Sequence, residues 1–351
     1  MDRNTFVEAQ ITEHQQNKKL TASELADLFA NFQGDSMFSC VFEHFLQVVE
    51  DDEVKDYVEF ALALSKRHVK QISDIFAMEK IPIPVGYGEQ DVRKDAPRLF
   101  SDMFMIFYTT QMASISMTIY SGAYGNASRQ DIMNYFRNNI NDSAETYERG
   151  IHLLLSKGMD INSPTIPYAK KVDFVEEKSF ISIFTGRDRP LTAPEIKQIH
   201  FLINTNVLGK SLMLGFSQVA SSEKIRKYFQ EGAKLAGKQI TGLSVQLTNQ
   251  DLPSPKLMDA HITDSTSSPF SDKLMMYHGS LAGSIALTNL GTALGQMMRH
   301  DLAALIMGFI PAAGKYNNDG LNMMIEHGWV EEPFTAPDRK KLSESSPGNQ
   351  T

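Results

Sequence analysis

The chain has 351 residues, 42% of them hydrophobic and 22% charged, which is enough material for two ordinary globular cores. A formal net charge of −8 leaves no basic stripe to displace phosphate counterions, so no nucleic-acid partner is expected. Cys40 is the sole cysteine, which excludes an internal disulfide and a cysteine metal cluster and suits a reducing, cytoplasmic setting.

In chain order, the first nineteen residues lack the apolar run of a signal peptide. Leu20-Thr21-Ala22-Ser23-Glu24 then opens a helix, with Thr21 as N-cap, Glu24 at N3 and Leu20 placed as a hydrophobic staple. This helix is predicted to run to about Val49, where Glu50-Asp51-Asp52-Glu53 marks the turn and the acidic start of a second helix. The second carries Val54, Tyr57, Val58, Ala61, Leu64, Val69, Ile72 and Phe76 near a 3.6-residue period, and must stop before Ile81-Pro82-Ile83-Pro84. An extended connector follows. Its Gly86-Tyr87-Gly88 is no phosphate loop, because no strand precedes it.

A third helix is predicted from near Pro97. Residues 103–128 contain no Lys, Arg, Asp or Glu, as do 274–298 later in the chain. Both stretches are long enough to span a bilayer, but their Ser, Thr, Asn and Gln content favours buried central helices over membrane spans. Ser128-Arg129-Gln130-Asp131 starts a fourth helix that ends at Gly158. A short helix is expected within 176–184, and the polar last residues are expected to be disordered.

The whole pattern then recurs. Leu191-Thr192-Ala193-Pro194-Glu195 repeats the first helix start at an offset of 171 residues, and Pro253-x-Pro255 repeats Pro82-x-Pro84. After one deletion the offset is 170: Phe270-Ser271-Asp272, Arg299-x-Asp301, Gly320 and Gly328 repeat Phe100-Ser101-Asp102, Arg129-x-Asp131, Gly150 and Gly158. No segment shows sustained strand alternation. The expected fold is therefore all-α: two tandem ferritin-like four-helix bundles, each with a long crossover between its second and third helices. The expected domains are 1–162, a linker over 163–190, a second bundle over 191–335 and a disordered tail over 336–351. The uncharged third helices are expected where the bundles meet about a pseudo-two-fold axis, making a pseudo-dimer within one chain.

A ferritin-like bundle raises the question of a di-metal carboxylate site, which needs inward Glu residues and Glu-x-x-His pairs. The first half offers Glu43, His44, His68, Glu145, Glu148 and His152 as candidate ligands for iron or manganese, but contains no Glu-x-x-His. The second half has Leu214, Gly215, Gln239, Lys315, Asn318 and Asn322 at those positions, so no metal centre is expected there. Met275-Met276-x-His278 and Met297-Met298-x-His300 read as Met-rich core packing rather than copper ligands. His278 aligns with Tyr108, which favours a buried ring with one polar contact. No nucleophile elbow accompanies the Ser, His and Asp residues, and no catalytic residue or cofactor is assigned. Residues present in both copies read as structural. Asp102/Asp272, Arg129/Arg299 and Asp131/Asp301 suit ion pairs or caps near helix ends, and Gly150/Gly320 suits close backbone approach inside helix four.

The doubled capping-box helix, the Pro-x-Pro crossover and the helix-four end Leu154-Leu155-Ser156-Lys157-Gly158-Met159, followed by Pro164 and Pro167, resemble the domain of unknown function 3231. That resemblance covers roughly residues 15–335 in two copies. It implies a ferritin-like fold similar to the spore coat protein F group of spore-forming Gram-positive bacteria, a sporulation or spore-coat role, and protein partners in that setting. It carries no established catalytic residues. The leading expectation is a non-enzymatic structural or interaction protein, cytoplasmic or spore-associated. The alternatives are a metal-dependent oxidoreductase or metal store using the first bundle, and a carrier of an apolar small molecule.

Overall fold

The structure, a computed structural model, describes residues 18–181 and 189–344. The N-terminal stretch without an apolar run therefore lies almost wholly outside the described residues, as do 182–188 and 345–351. In the first half the helices are α1 (Ala22–Val48), α2 (Asp52–Met78), α3 (Asp102–Asn126) and α4 (Gln130–Ser156). In the second half they are α5 (Ala193–Val219), α6 (Glu223–Thr248), α7 (Asp272–Gln296) and α8 (His300–Glu326). Lengths of 27, 27, 25 and 27 residues are answered by 27, 26, 25 and 27, so the duplication reaches the level of individual helices. Among the described residues there is no strand. A six-residue helix, α9 (Arg339–Glu344), stands where the tail was expected to be without structure. The short helix expected within 176–184 is a single 3₁₀ turn at Lys178–Phe180, with 182–184 outside the described residues.

Tight turns join α1 to α2 and α3 to α4, and a crossover of about twenty residues joins α2 to α3. One long crossover is the connection that separates ferritin-like bundles from up-down-up-down ones. Helices α4 and α8 end with Gly158 and Gly328 in the left-handed region, at φ +78° and +67°. Each is followed by the backwards hydrogen bond of a Schellman cap, Met159 N to Leu154 O and Trp329 N to Met324 O.

Helices α3 and α7 start later than the prolines near 97 and 269 suggested. Ser101 and Ser271 are the caps, accepting from the N–H groups of Phe104 and Leu274. The intervening residues stay extended because each crossover pairs with the other. Arg93 N donates to Pro269 O and Ser271 N to Asp91 O; in mirror fashion Thr263 N donates to Leu99 O and Ser101 N to His261 O. Two antiparallel bridges result, Val92 with Phe270 and Phe100 with Ile262. Side chains repeat the exchange: Ser271 Oγ lies 2.6 Å from Asp91 Oδ1, and Ser101 Oγ 2.9 Å from His261 Nδ1.

The halves therefore share one core. A continuous apolar cluster runs from Phe42, Phe45 and Tyr108 through Phe270 and His278's neighbour Phe216 into Leu243, Leu290 and Ile306 of the second bundle. After α8, Glu331 reaches back to the first half and accepts from the N–H groups of Val85 and Gly86 at 2.9 and 2.7 Å, while Phe334 packs edge-on against Phe29 and Phe76. Among the described residues no helix is long and apolar enough to cross a membrane, as the polar load of α3 and α7 implied.

Candidate functional site

The first bundle also has a second, separate apolar cluster around Leu28, Phe32, Ile72, Phe76 and Phe136. A buried polar layer divides it from the main core. Asp35 on α1 and Asp142 on α4 flank His68 on α2, with Nδ1 3.2 Å from Asp35 Oδ2 and Nε2 3.2 Å from Asp142 Oδ2. Arg67 pairs with Asp142 at the surface edge. Tyr120 Oη donates to the same Asp35 oxygen at 3.3 Å. Asn31 donates to Asp35 and accepts from Tyr135 Oη at 2.5 Å and from Asn139 Nδ2 at 3.4 Å. Burial alone would lower the pKa of His68, but Asp35 and Asp142 together push it up to about 9. The layer thus holds two carboxylates against an imidazolium and a guanidinium, which balance in charge.

A cavity of about 50 Å³ adjoins this layer, lined by Asp35, His68 and Asp142 together with Leu64, Met112 and Tyr120. The donor set does not suit a metal. An imidazolium has no lone pair left to coordinate, and metal binding would have to displace a proton that two carboxylates hold. Among the described residues no group of three or more His, Cys, Asp and Glu side chains has an arrangement that could hold a metal ion.

The six candidate ligands do not converge. Glu43 pairs with Lys66 at 2.7 Å. His44 is buried edge-on to Phe270 of the second half, its ring centroids 5.4 Å apart, with neither nitrogen partnered among the described residues. Burial pushes its pKa down to about 4. Glu145 pairs with Arg149, and Glu148 and His152 are exposed on the outer face of α4. The four-residue spacing of Glu148 and His152 does place them on one face, but that face is turned to solvent. Only His68 enters the polar layer. Asp35, Asp142 and Asn31, its other central members, resemble no metal motif in the sequence. Comparing the halves position by position would have exposed them.

The residues shared by both halves sit at helix ends and close approaches. Asp102 accepts from the N–H of Asp51 at 2.9 Å at the start of α2 and pairs with Arg98; Asp272 accepts from the N–H of Ser221 at 3.1 Å before α6. Arg129 holds Asp131 through two bonds, Nε to Oδ1 at 2.9 Å and Nη2 to Oδ2 at 2.6 Å; Arg299 and Asp301 repeat this at 3.0 and 2.5 Å. Helix α4 has Arg129 at its N-cap, and the residues leading into it are held from outside. Glu24, besides closing the α1 capping box, accepts from the N–H groups of Ser128 and Arg129 at 2.8 and 2.9 Å. Glu195 likewise accepts from Arg299 N at 3.1 Å. Burial opposes ionisation of Glu24, yet these N–H donors hold its pKa down at about 2. Gly150 has no room for a side chain: a Cβ there would land on Tyr57 Oη and Thr110 Oγ1, and one at Gly320 on Tyr228 Oη.

The second bundle has lost the polar layer. Asn31, Asp35, His68, Tyr120, Tyr135, Asn139 and Asp142 correspond to Leu202, Asn206, Gln239, Leu290, Leu305, Phe309 and Ala312. One hydrogen bond survives, from Asn206 Nδ2 to Gln239 Oε1 at 3.2 Å.

The sequence profile described as "Protein of unknown function (DUF3231)" matches residues 10–172 and again 179–342. A solved structure from Bacillus halodurans C-125, described as a "putative spore coat protein", is 18% identical over 43% of this chain and 98% of its own, with a TM-score of 0.40. No curated protein matches. The two profile matches take in both bundles and nearly the full sequence, and the chain belongs to the DUF3231 family as a tandem member.

Proposed function

We propose that the protein is a non-catalytic interaction protein whose working unit is the fused pair of bundles, and that it serves the sporulating cell or the spore coat. The observation that carries this reading is the segment between the bundles. Tyr168, Val172 and Phe174 are 98, 88 and 83% exposed, with Ile166 and Val175 beside them. Ile166 and Tyr168 precede a bend at Lys170 and Lys171, and Val172 and Phe174 follow it. Exposed aromatic and branched side chains in such density mark a protein-contact surface rather than a solvated linker. The bundles supply rigidity through the caps made by Glu24 and Glu195 and the charge pairs around His68. The spore setting comes from the family resemblance of the sequence motifs.

The test is a Tyr168→Ser/Val172→Ser/Phe174→Ser variant expressed in sporulating cells of the source organism. We expect the parent chain to be retained in the spore-coat extract, and the variant to be lost from it at unchanged Tm. Equal retention of both, or near-stoichiometric iron or manganese in the purified parent, would overturn the reading.

A further inference from the structure

The place of the polar layer in the second bundle has changed in kind. Where Phe38, Thr109, Met112 and Ser116 line the smaller cavity of the first bundle, the second has Gly209, Gly279, Ala282 and Ala286. The space released is a cavity of about 90 Å³ between α5, α6, α7 and α8, the last contributing Ala313 and Tyr316, with Met112 and Ile115 of the first half's α3 also in its wall. No Lys, Arg, His, Asp or Glu lines it. At its wall lie Asn206 and Gln239, 7 and 5% exposed, in the places of Asp35 and His68. Asn206 Nδ2 is spent on Leu202 O and Gln239 Oε1. That leaves Asn206 Oδ1 as an acceptor and Gln239 Nε2 as a donor with no partner among the described residues.

We propose that this cavity is a binding site for a small uncharged alcohol or phenol. The apolar walls, Leu208, Leu212, Met213 and Leu235 among them, take a single ring or short chain. The paired amide ends take the hydroxyl: it donates to Asn206 Oδ1 and accepts from Gln239 Nε2, which gives each atom a partner. A carboxylate or ammonium is excluded, since no opposite charge lines the site to offset its desolvation. The site is independent of the exposed linker.

The probe is benzyl alcohol, with toluene as its non-hydrogen-bonding counterpart, titrated into full-length protein carrying ¹³C-methyl methionine. Saturable shifts of the Met112 and Met213 methyls are expected, with Met37, buried elsewhere, unmoved. Benzyl alcohol should bind roughly fivefold or more tightly than toluene, and Asn206→Leu/Gln239→Leu should abolish that preference. Gly209→Leu should block both probes, roughly tenfold or more, since a Cβ at Gly209 meets nothing within 4 Å and leucine favours the helix. Ala286→Leu provides the same block from α7. Absence of saturable shifts at Met112 and Met213, or binding that survives both blocking variants, would overturn the proposal.

Discussion

Tyr108 and His278 hold the same place in the two halves and face one another across the pseudo-two-fold axis, Tyr108 Oη 3.3 Å from His278 Nε2. Both are fully buried, and the aromatic rings of Phe38, Phe42 and Phe216 surround the pair. A residue that meets its own counterpart marks where an ancestral dimer would have had its axis. The single polar contact joins Tyr in one copy to His in the other, and His278 Nδ1 has no partner among the described residues.

Burial pushes His278 down to about 3 and His44 to about 4. Both are neutral in the fold, whereas the unfolded chain takes up these protons near pH 6.5. Their contribution is complete above that value and is lost as pH falls toward the folded values. Tyr108→Phe/His278→Phe should keep stability at pH 7 within about 2 kcal/mol and unfold at lower pH than the parent chain. Circular dichroism followed from pH 7 to 2 measures the midpoint; an unchanged or raised acid midpoint would count against the assignment.

Glu24 ties the start of α1 to the start of α4. Held at about 2 against an ordinary 4.5, its carboxylate contributes about 3 kcal/mol at neutral pH. That contribution is present above pH 4.5 and is lost as pH falls through 2. Urea unfolding of Glu24→Ala should show a loss near that size at pH 7 and roughly 1 kcal/mol at pH 3. A pH-independent difference would mean the carboxylate charge is not what matters.

Local signals in the sequence carried most of the architecture. Capping boxes, the Pro-x-Pro stops and the glycine C-caps are short-range and place eight helices, and the offset between copies pairs them. The exchanged crossovers were not legible, because Val92–Phe270 and Phe100–Ile262 depend on two halves meeting, and nothing local requires residues 98–100 to be extended. The candidate ligands were misplaced for a different reason. Glu148 and His152 satisfy helical spacing, but spacing fixes only which residues share a face and not which way that face points. Asp35 carries no local signal because a lone aspartate in an apolar helix resembles no motif; its meaning lies in Asn206 and Gln239 standing where it and His68 would be.

The polar layer of the first bundle should behave as a unit. His68, raised to about 9, contributes stability that is fully present below pH 6.5 and is lost as pH rises through 9. Its ring protons should titrate there by NMR. His68→Gln alone leaves Asp35 and Asp142 without their shared cation and should cost about 3–5 kcal/mol. Installing the second bundle's set, Asp35→Asn/His68→Gln/Asp142→Ala, should recover most of that loss. If the triple variant is no more stable than His68→Gln in urea, the layer is not a self-contained charge cluster.

Two glycines of the first bundle should respond to alanine in opposite directions. Gly150 is buried in α4 where Tyr57 crosses it, and the Tyr57 hydroxyl is fixed there by donating to Thr146 O at 2.9 Å. A methyl at this position displaces Tyr57 and Thr110 together, so Gly150→Ala should cost about 1–3 kcal/mol despite alanine's better helix propensity. Gly122 lies in α3, and a methyl added there would meet nothing within 4 Å, so Gly122→Ala should gain up to about 1 kcal/mol. Thermal unfolding of the two variants side by side separates the effects, because propensity is common to both and only the contact with Tyr57 and Thr110 differs. Stabilisation by both would mean that α4 can move away from α2, and that the glycine retained in each half is not there for close approach.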